Sequence, residues 1–338
     1  MIPVHAAVSQ ATLVNDSLVA IYSAMFIYAL AFIFFTYDLA KRMSEARQLA
    51  VAPVAEVVSA KRAGQLQTST AVLERPAGPP PPGFEVAPSS RVKRSMSARL
   101  GMIFTVMAWL LHVGGTVFRG LAAGRVPWAN MFEFTLTATA IIIGVFLIIQ
   151  FWQDLQFLGA YVTGFVLVFL GVATTNFYVD VIPLPPALQS YWLVIHVFVA
   201  SLGTGFYGLG AGLSVVQLVQ ARREARGLGA VRAVPTAEKL EALAYRLIVV
   251  GFVFWTFTLI AGSIWAEHAW GRYWGWDTKE VWTFIVWVIF AGYIHARATR
   301  GWRGSRSATL AIIGFSAVLF NFTIVNLYFH GLHSYSGL

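Results

Sequence analysis

Eight apolar runs, near residues 18–37, 100–119, 131–151, 156–175, 193–219, 244–264, 281–298 and 308–329, constrain this chain more than any other feature. A helix of about 20 apolar residues crosses the ~30 Å hydrocarbon layer of a bilayer. The expected fold is therefore all-α, a polytopic membrane protein with about eight transmembrane helices. Composition agrees: 58% of residues are hydrophobic, 12% are charged, and the mean hydropathy is +0.68. The first run is too long for a secretory signal, has no basic residues before it and no small-residue cleavage site after it, so it reads as a first span.

The net charge of +9 would suit a nucleic-acid binder, but the placement of the charge argues otherwise. With the N-terminus outside, segments 38–99, 152–155, 220–246 and 297–307 face the cytoplasm and hold 20 of the 24 Lys and Arg residues. Only Arg119, Arg125, Arg272 and Lys279 fall outside. That is a positive-inside pattern, which implies an N-out, C-out topology and no nucleic-acid partner. The chain has no cysteine, so its own residues supply neither thiolate ligands nor disulfides.

Residues 1–37 form an N-terminal transmembrane helix in this reading. Residues 38–99 are expected to be a cytoplasmic, largely disordered linker containing Gly78-Pro79-Pro80-Pro81-Pro82-Gly83. Residues 100–338 then form a seven-helix body. Span five carries Gly203, Gly205, Gly208, Gly210 and Gly212, a pattern that suits close helix packing.

Between spans six and seven, residues 265–282 hold Trp265, Trp270, Trp274, Trp276 and Trp282 together with Glu267, Arg272, Asp277, Lys279 and Glu280. The charges exclude a span. An interfacial belt spreads its tryptophans over several helix ends, whereas five of the chain's twelve lie in this one segment. An external, tryptophan-rich loop of this kind suits a large, flat, partly charged ligand at the membrane edge.

The histidines divide by depth. His196 lies about one turn into span five from the outside, and His333 lies just past span eight, so both share the level of the tryptophan segment. Two imidazoles and a wall of indoles at one depth are what a bis-histidine haem site needs. The alternative is an interhelical His196 and a solvated His333. His295 lies about 14 residues into span seven, roughly 20 Å below the outer boundary. It therefore cannot share an iron with either, and His112, only about 10 Å from the outer edge, is a poor partner for it. At its own depth His295 is either an intramembrane ligand or an inner-leaflet polar residue beside Arg297 and Arg300.

The string Trp270-Gly-Arg-Tyr-Trp274-Gly-Trp276-Asp277-Thr-Lys279-Glu280-Val-Trp282 resembles the signature of the cytochrome c assembly family, the WWD-domain haem-handling proteins, with Thr278 where proline is usual. Pro127-Trp-Ala-Asn130-Met-Phe-Glu133, Trp192-Leu-Val-Ile-His196-Val, Tyr293-Ile-His295-Ala-Arg297 and Gly331-Leu-His333-Ser-Tyr335 resemble segments of its CcsA-type branch, the subunit of the two-component cytochrome c synthase system.

The resemblance implies that the protein holds haem b at the outer face of the cytoplasmic-type membrane and presents it to apocytochrome c for thioether attachment. It implies His196 and His333 as axial ligands and His295 as an intramembrane ligand whose opposite ligand comes from a ResB-type membrane partner subunit. Trp265, Trp270, Trp274, Trp276 and Trp282 would contact the macrocycle. Arg272, lying in the segment, is the first candidate for the propionates, with Arg119, Arg125 and Lys279 as further cations. Asn130 and Glu133 are further candidates, and Asp277 either fixes the loop or pairs with Lys279. A haem chaperone or exporter without ligation activity, and a b-type electron carrier, are the alternatives.

Overall fold

The computed structural model describes residues 4–66, 95–227, 234–329 and 331–333. The proline-rich stretch 76–83, His330, Ser334 and Tyr335 lie outside them. The described chain is all-helical: α1 (Val4–Leu66), α2 (Met96–Ala123), α3 (Met131–Ile149), α4 (Gly159–Asn176), α5 (Tyr191–Ala225), α6 (Ala237–Trp270), α7 (Thr278–Thr299), α8 (Ser305–Phe322) and the short α9 (Ile324–Tyr328). Short 3-10 turns at Gln156–Leu158 and Pro186–Leu188 lead into α4 and α5. Eight segments are long and apolar enough to cross a membrane, each overlapping one of the eight apolar runs. The protein is therefore a multi-pass membrane protein.

α1 outruns its apolar run the furthest. α1 continues as helix to Leu66, well past residue 37, where the linker was expected to start. Residues 38–66 are rich in Ala, Leu, Glu, Lys and Arg, the residues that lose least on entering a helix. The start of this extension is also fastened. Asp38 pairs with Arg42 at 2.5 Å and accepts a hydrogen bond from Ser97 of α2 at 3.2 Å.

α5 is the hub of the bundle, and its glycines explain how closely it approaches three neighbours. A Cβ on Gly210 would lie 2.6 Å from Ile248 of α6, one on Gly212 2.8 Å from Tyr161 of α4, and one on Gly208 3.1 Å from Phe315 of α8. In lipid, where apolar burial gives little drive, such close approach is a main source of helix association. Large apolar side chains such as Phe26, Leu110, Val253 and Ile313 point outward from the spans, as a surface solvated by lipid requires.

Polar residues fasten both ends of the body. At one end, Arg297 of α7 pairs with Glu241 of α6 at 2.8 Å, and Glu241 also accepts the N–H of Gly304 at 2.9 Å. At the other, Glu133 at the start of α3 takes Arg119 of α2 at 3.0 Å and Arg125 of the α2–α3 connection at 2.6 Å. Arg119 also donates to the carbonyl of Val179 at 2.7 Å, and its guanidinium lies against the rings of Phe132 and Tyr178. Arg119 and Glu133 are fully buried.

Candidate functional site

Three consecutive backbone features shape the tryptophan segment. Gly271 ends α6 in the left-handed conformation at φ 68°. Trp276 then takes φ 59°, among the described residues the one non-glycine at positive φ, a geometry that costs energy for a residue with a Cβ. Glu280, three residues past the N-cap Asp277, accepts the N–H groups of Gly275 at 2.8 Å and Asp277 at 3.1 Å. This is the back-reaching half of a capping box, and it fixes where α7 begins.

The Asp277 carboxylate reaches the tail after α9. It accepts the N–H of Leu332 at 3.3 Å and the Nδ1–H of His333 at 2.6 Å. The hydrogen bond from His333 holds the Asp277 carboxyl below the usual carboxylate range, with smaller help from the Leu332 N–H. That contribution to stability is present at neutral pH and is lost only as pH falls through the lowered value. Because a carboxylate only accepts, Nδ1 of His333 carries a proton, and in the neutral ring Nε2 keeps its lone pair.

His196 of α5 is set in the same way by another group. Its Nδ1 lies 3.0 Å from the carbonyl oxygen of Thr258 in α6. A carbonyl also only accepts, so Nδ1 donates and Nε2 is left as the ligating atom. The ring rests on Gly262, where a Cβ would come within 2.7 Å of Cε1. Trp265 touches both imidazoles, stacked on His196 with centroids 5.9 Å apart and tilted against His333 at 5.4 Å. Trp270 braces this group from behind, 4.8 Å from both Trp265 and His333.

Both imidazoles line one cavity of about 220 Å³, against the ~10–15 Å³ that a single water needs. Its walls come from α3 through α9 and are mostly apolar and aromatic, with a few polar groups, which is the make-up of a ligand site. Among the expected residues, His196, His333, Trp265, Trp274, Asn130 and Lys279 line it.

The others stand elsewhere. Trp270 and Asp277 support His333 without lining the cavity. Trp276 is 76% exposed and Trp282 packs on Phe320 of α8 at 4.3 Å. The Arg272 guanidinium folds over Gly275, outside the lining. Arg119, Arg125 and Glu133 are spent on one another. His295 is exposed on the outer surface of α7, away from the cavity. Thr258 and Gly262 were not singled out from the sequence. The one hint was that Gly262 lies three residues before Trp265, on the same helix face.

The model of the cytochrome c assembly protein family matches residues 128–333, which include every residue named above as lining the cavity. The chain is 33% identical over 273 residues to the cytochrome c biogenesis protein CcsA of Trieres chinensis, covering 71% of this chain and 88% of that protein. The CcsA of Guillardia theta is 34% identical over 272 residues, 71% of this chain and 90% of its own length. That of Chlamydomonas reinhardtii is 40% identical over 158 residues, 45% of this chain and 43% of its own.

Proposed function

This chain belongs to the cytochrome c assembly family and serves cytochrome c biogenesis, and from that premise we propose that it carries haem b in the cavity between His196 and His333 and presents it to apocytochrome c. The observation that supports this most is the pair of imidazoles. Each has Nδ1 tied to an acceptor, each keeps Nε2 for iron, and both line one apolar cavity walled by indoles. The residues present therefore fit haem as cargo.

When bound, haem supplies the two vinyl groups across which the substrate's cysteine thiols add, each forming one C–S and one C–H bond. The chain's own part is to bind and position. Trp265 and Trp274 offer aromatic faces to the macrocycle. Trp270 and Asp277 hold the tail imidazole in place. With no cysteine in the chain, no thiol of its own competes for the vinyls. Catalysis then rests on holding reactants at close range. His295, polar and exposed near the C-terminal end of α7, suits contact with a ResB-type partner subunit that covers it and supplies the opposing ligand.

The reduced optical spectrum of the purified protein tests the reading, with a low-spin, bis-imidazole haem b expected. A protein that retains no haem, or holds it high-spin, would count against it. Gly262→Ala is expected to push His196 off its bed and to weaken haem retention by ~10–100-fold, the range for groups that orient a ligand. Unchanged retention would show that the ring needs no such support.

The topology belongs to the same proposal, with both termini and the tryptophan segment outside. In a chain free of cysteine, Asp180→Cys is expected to react with an impermeant maleimide on intact cells. Gln153→Cys is expected to react only after the membrane is opened. The reverse pattern would invert the orientation.

A further inference from the structure

We propose that Lys279 and Asn130 form a carboxylate subsite in the cavity wall, and that this subsite, rather than Arg272, holds a propionate of haem. The inference rests on the haem reading above and adds to it the place where the anionic edge of the ligand lies.

Lys279 sits in the first turn of α7 and lines the cavity. Its ammonium donates to Asn326 Oδ1 at 2.5 Å and to the carbonyl of Asn321 at 3.2 Å. Both acceptors are neutral, and an ammonium has a third proton. The two nearest carboxylates in sequence are spoken for: Asp277 holds the tail at His333 and Leu332, and Glu280 holds the N–H groups of Gly275 and Asp277. Among the described residues Lys279 makes no ion pair. A cation set in a low-dielectric wall without a direct ion pair is costly, and an anionic ligand lowers that cost.

A second, independent observation points to the same place. Asn130 is 5% exposed and lines the cavity. Its Oδ1 caps α3 by accepting the Glu133 N–H at 2.9 Å, while its Nδ2 has no hydrogen-bond partner. A buried amide donor left unmet in a ligand cavity calls for an acceptor from the ligand. Asn326 ties Lys279 to the start of α3, since its Nδ2 reaches the sulfur of Met131, the residue after Asn130, at 3.3 Å. One spare N–H of an ammonium and one of an amide, both lining a mostly apolar cavity, suit a carboxylate oxygen pair.

The test compares haem b with its dimethyl ester, titrated into the full chain in nanodiscs and read by the haem absorbance and by quenching of tryptophan fluorescence. Wild type is expected to prefer the acid by ~10-fold or more, the strength of a charge-assisted hydrogen bond. Lys279→Met is expected to remove the preference, and Lys279→Arg to keep most of it. Asn130→Asp keeps a side chain that caps α3 equally well but sets an acceptor where the donor stood. It is expected to weaken the acid more than the ester. Equal binding of acid and ester by wild type, or a preference that survives in Lys279→Met, would overturn the subsite and leave the haem reading standing. If neither porphyrin binds, the haem reading falls and the subsite with it.

Discussion

Replacing His196 or His333 by alanine is expected to lower haem retention by more than ~100-fold, because losing a residue that merely orients a ligand already costs ~10–100-fold in metal affinity. Each single variant loses the low-spin bis-imidazole spectrum, and cytochrome c yield falls to background in cells that depend on this chain. Asp277→Asn is expected to sit in the milder range, since the amide still fills the space but presents no charge to the His333 Nδ1–H. Imidazole added to His333→Gly separates ligation from architecture, because a free imidazole restores the spectrum only if the missing group was an iron ligand. Wild-type haem content and yield in both alanine variants would end the axial-ligand proposal.

The second large effect is on stability. Glu133→Gln is expected to destabilise the protein by ~3–5 kcal/mol, the cost of stripping a buried ion cluster of one sign. Among the described residues Glu133 is the single carboxylate that meets both Arg119 and Arg125, and it also accepts the N–H of Ala129 at 3.1 Å. Its loss leaves two guanidinium groups facing each other without a counter-charge, joining α2, the α2–α3 connection and α3. Reversible unfolding in mixed detergent micelles measures the change. The haem spectrum of the folded fraction should be unaltered, since none of the three lines the cavity. A shift within about 0.5 kcal/mol, typical of surface substitutions, would mean the cluster contributes nothing net.

Depth was legible in the sequence and azimuth was not. Apolar run length marks where helices cross, so all eight spans could be read. The same counting put His196, His333 and residues 265–282 at one level. It could not say which way a side chain faces within that level. Arg272 and Lys279 are seven residues apart in one charged segment. Only the turn through Trp276 and the start of α7 at Thr278 send one over Gly275 and the other into the cavity wall. Trp282 looked like its fellow tryptophans, yet four residues into α7 it faces Phe320 of α8. The pairing of Asp277 with His333 spans 56 positions and leaves no local trace. Thr258 contributes only its carbonyl to His196, so its residue type carries no signal. α1 overran its expected end because run length reports where lipid stops, whereas helix propensity continues into water.

The contact between Asp277 and His333 also bears on the order of events during membrane insertion. One proposed ligand stands on α5 and the other follows α9, held in place by a carboxylate at the start of α7. A chain emerging from the translocation machinery with six or seven spans has the first imidazole, most of the tryptophans and an open trough, but no closed ligand pair. On the proposed ligation, cargo capture waits until the final span is in place, and a half-made chain does not sequester a reactive porphyrin.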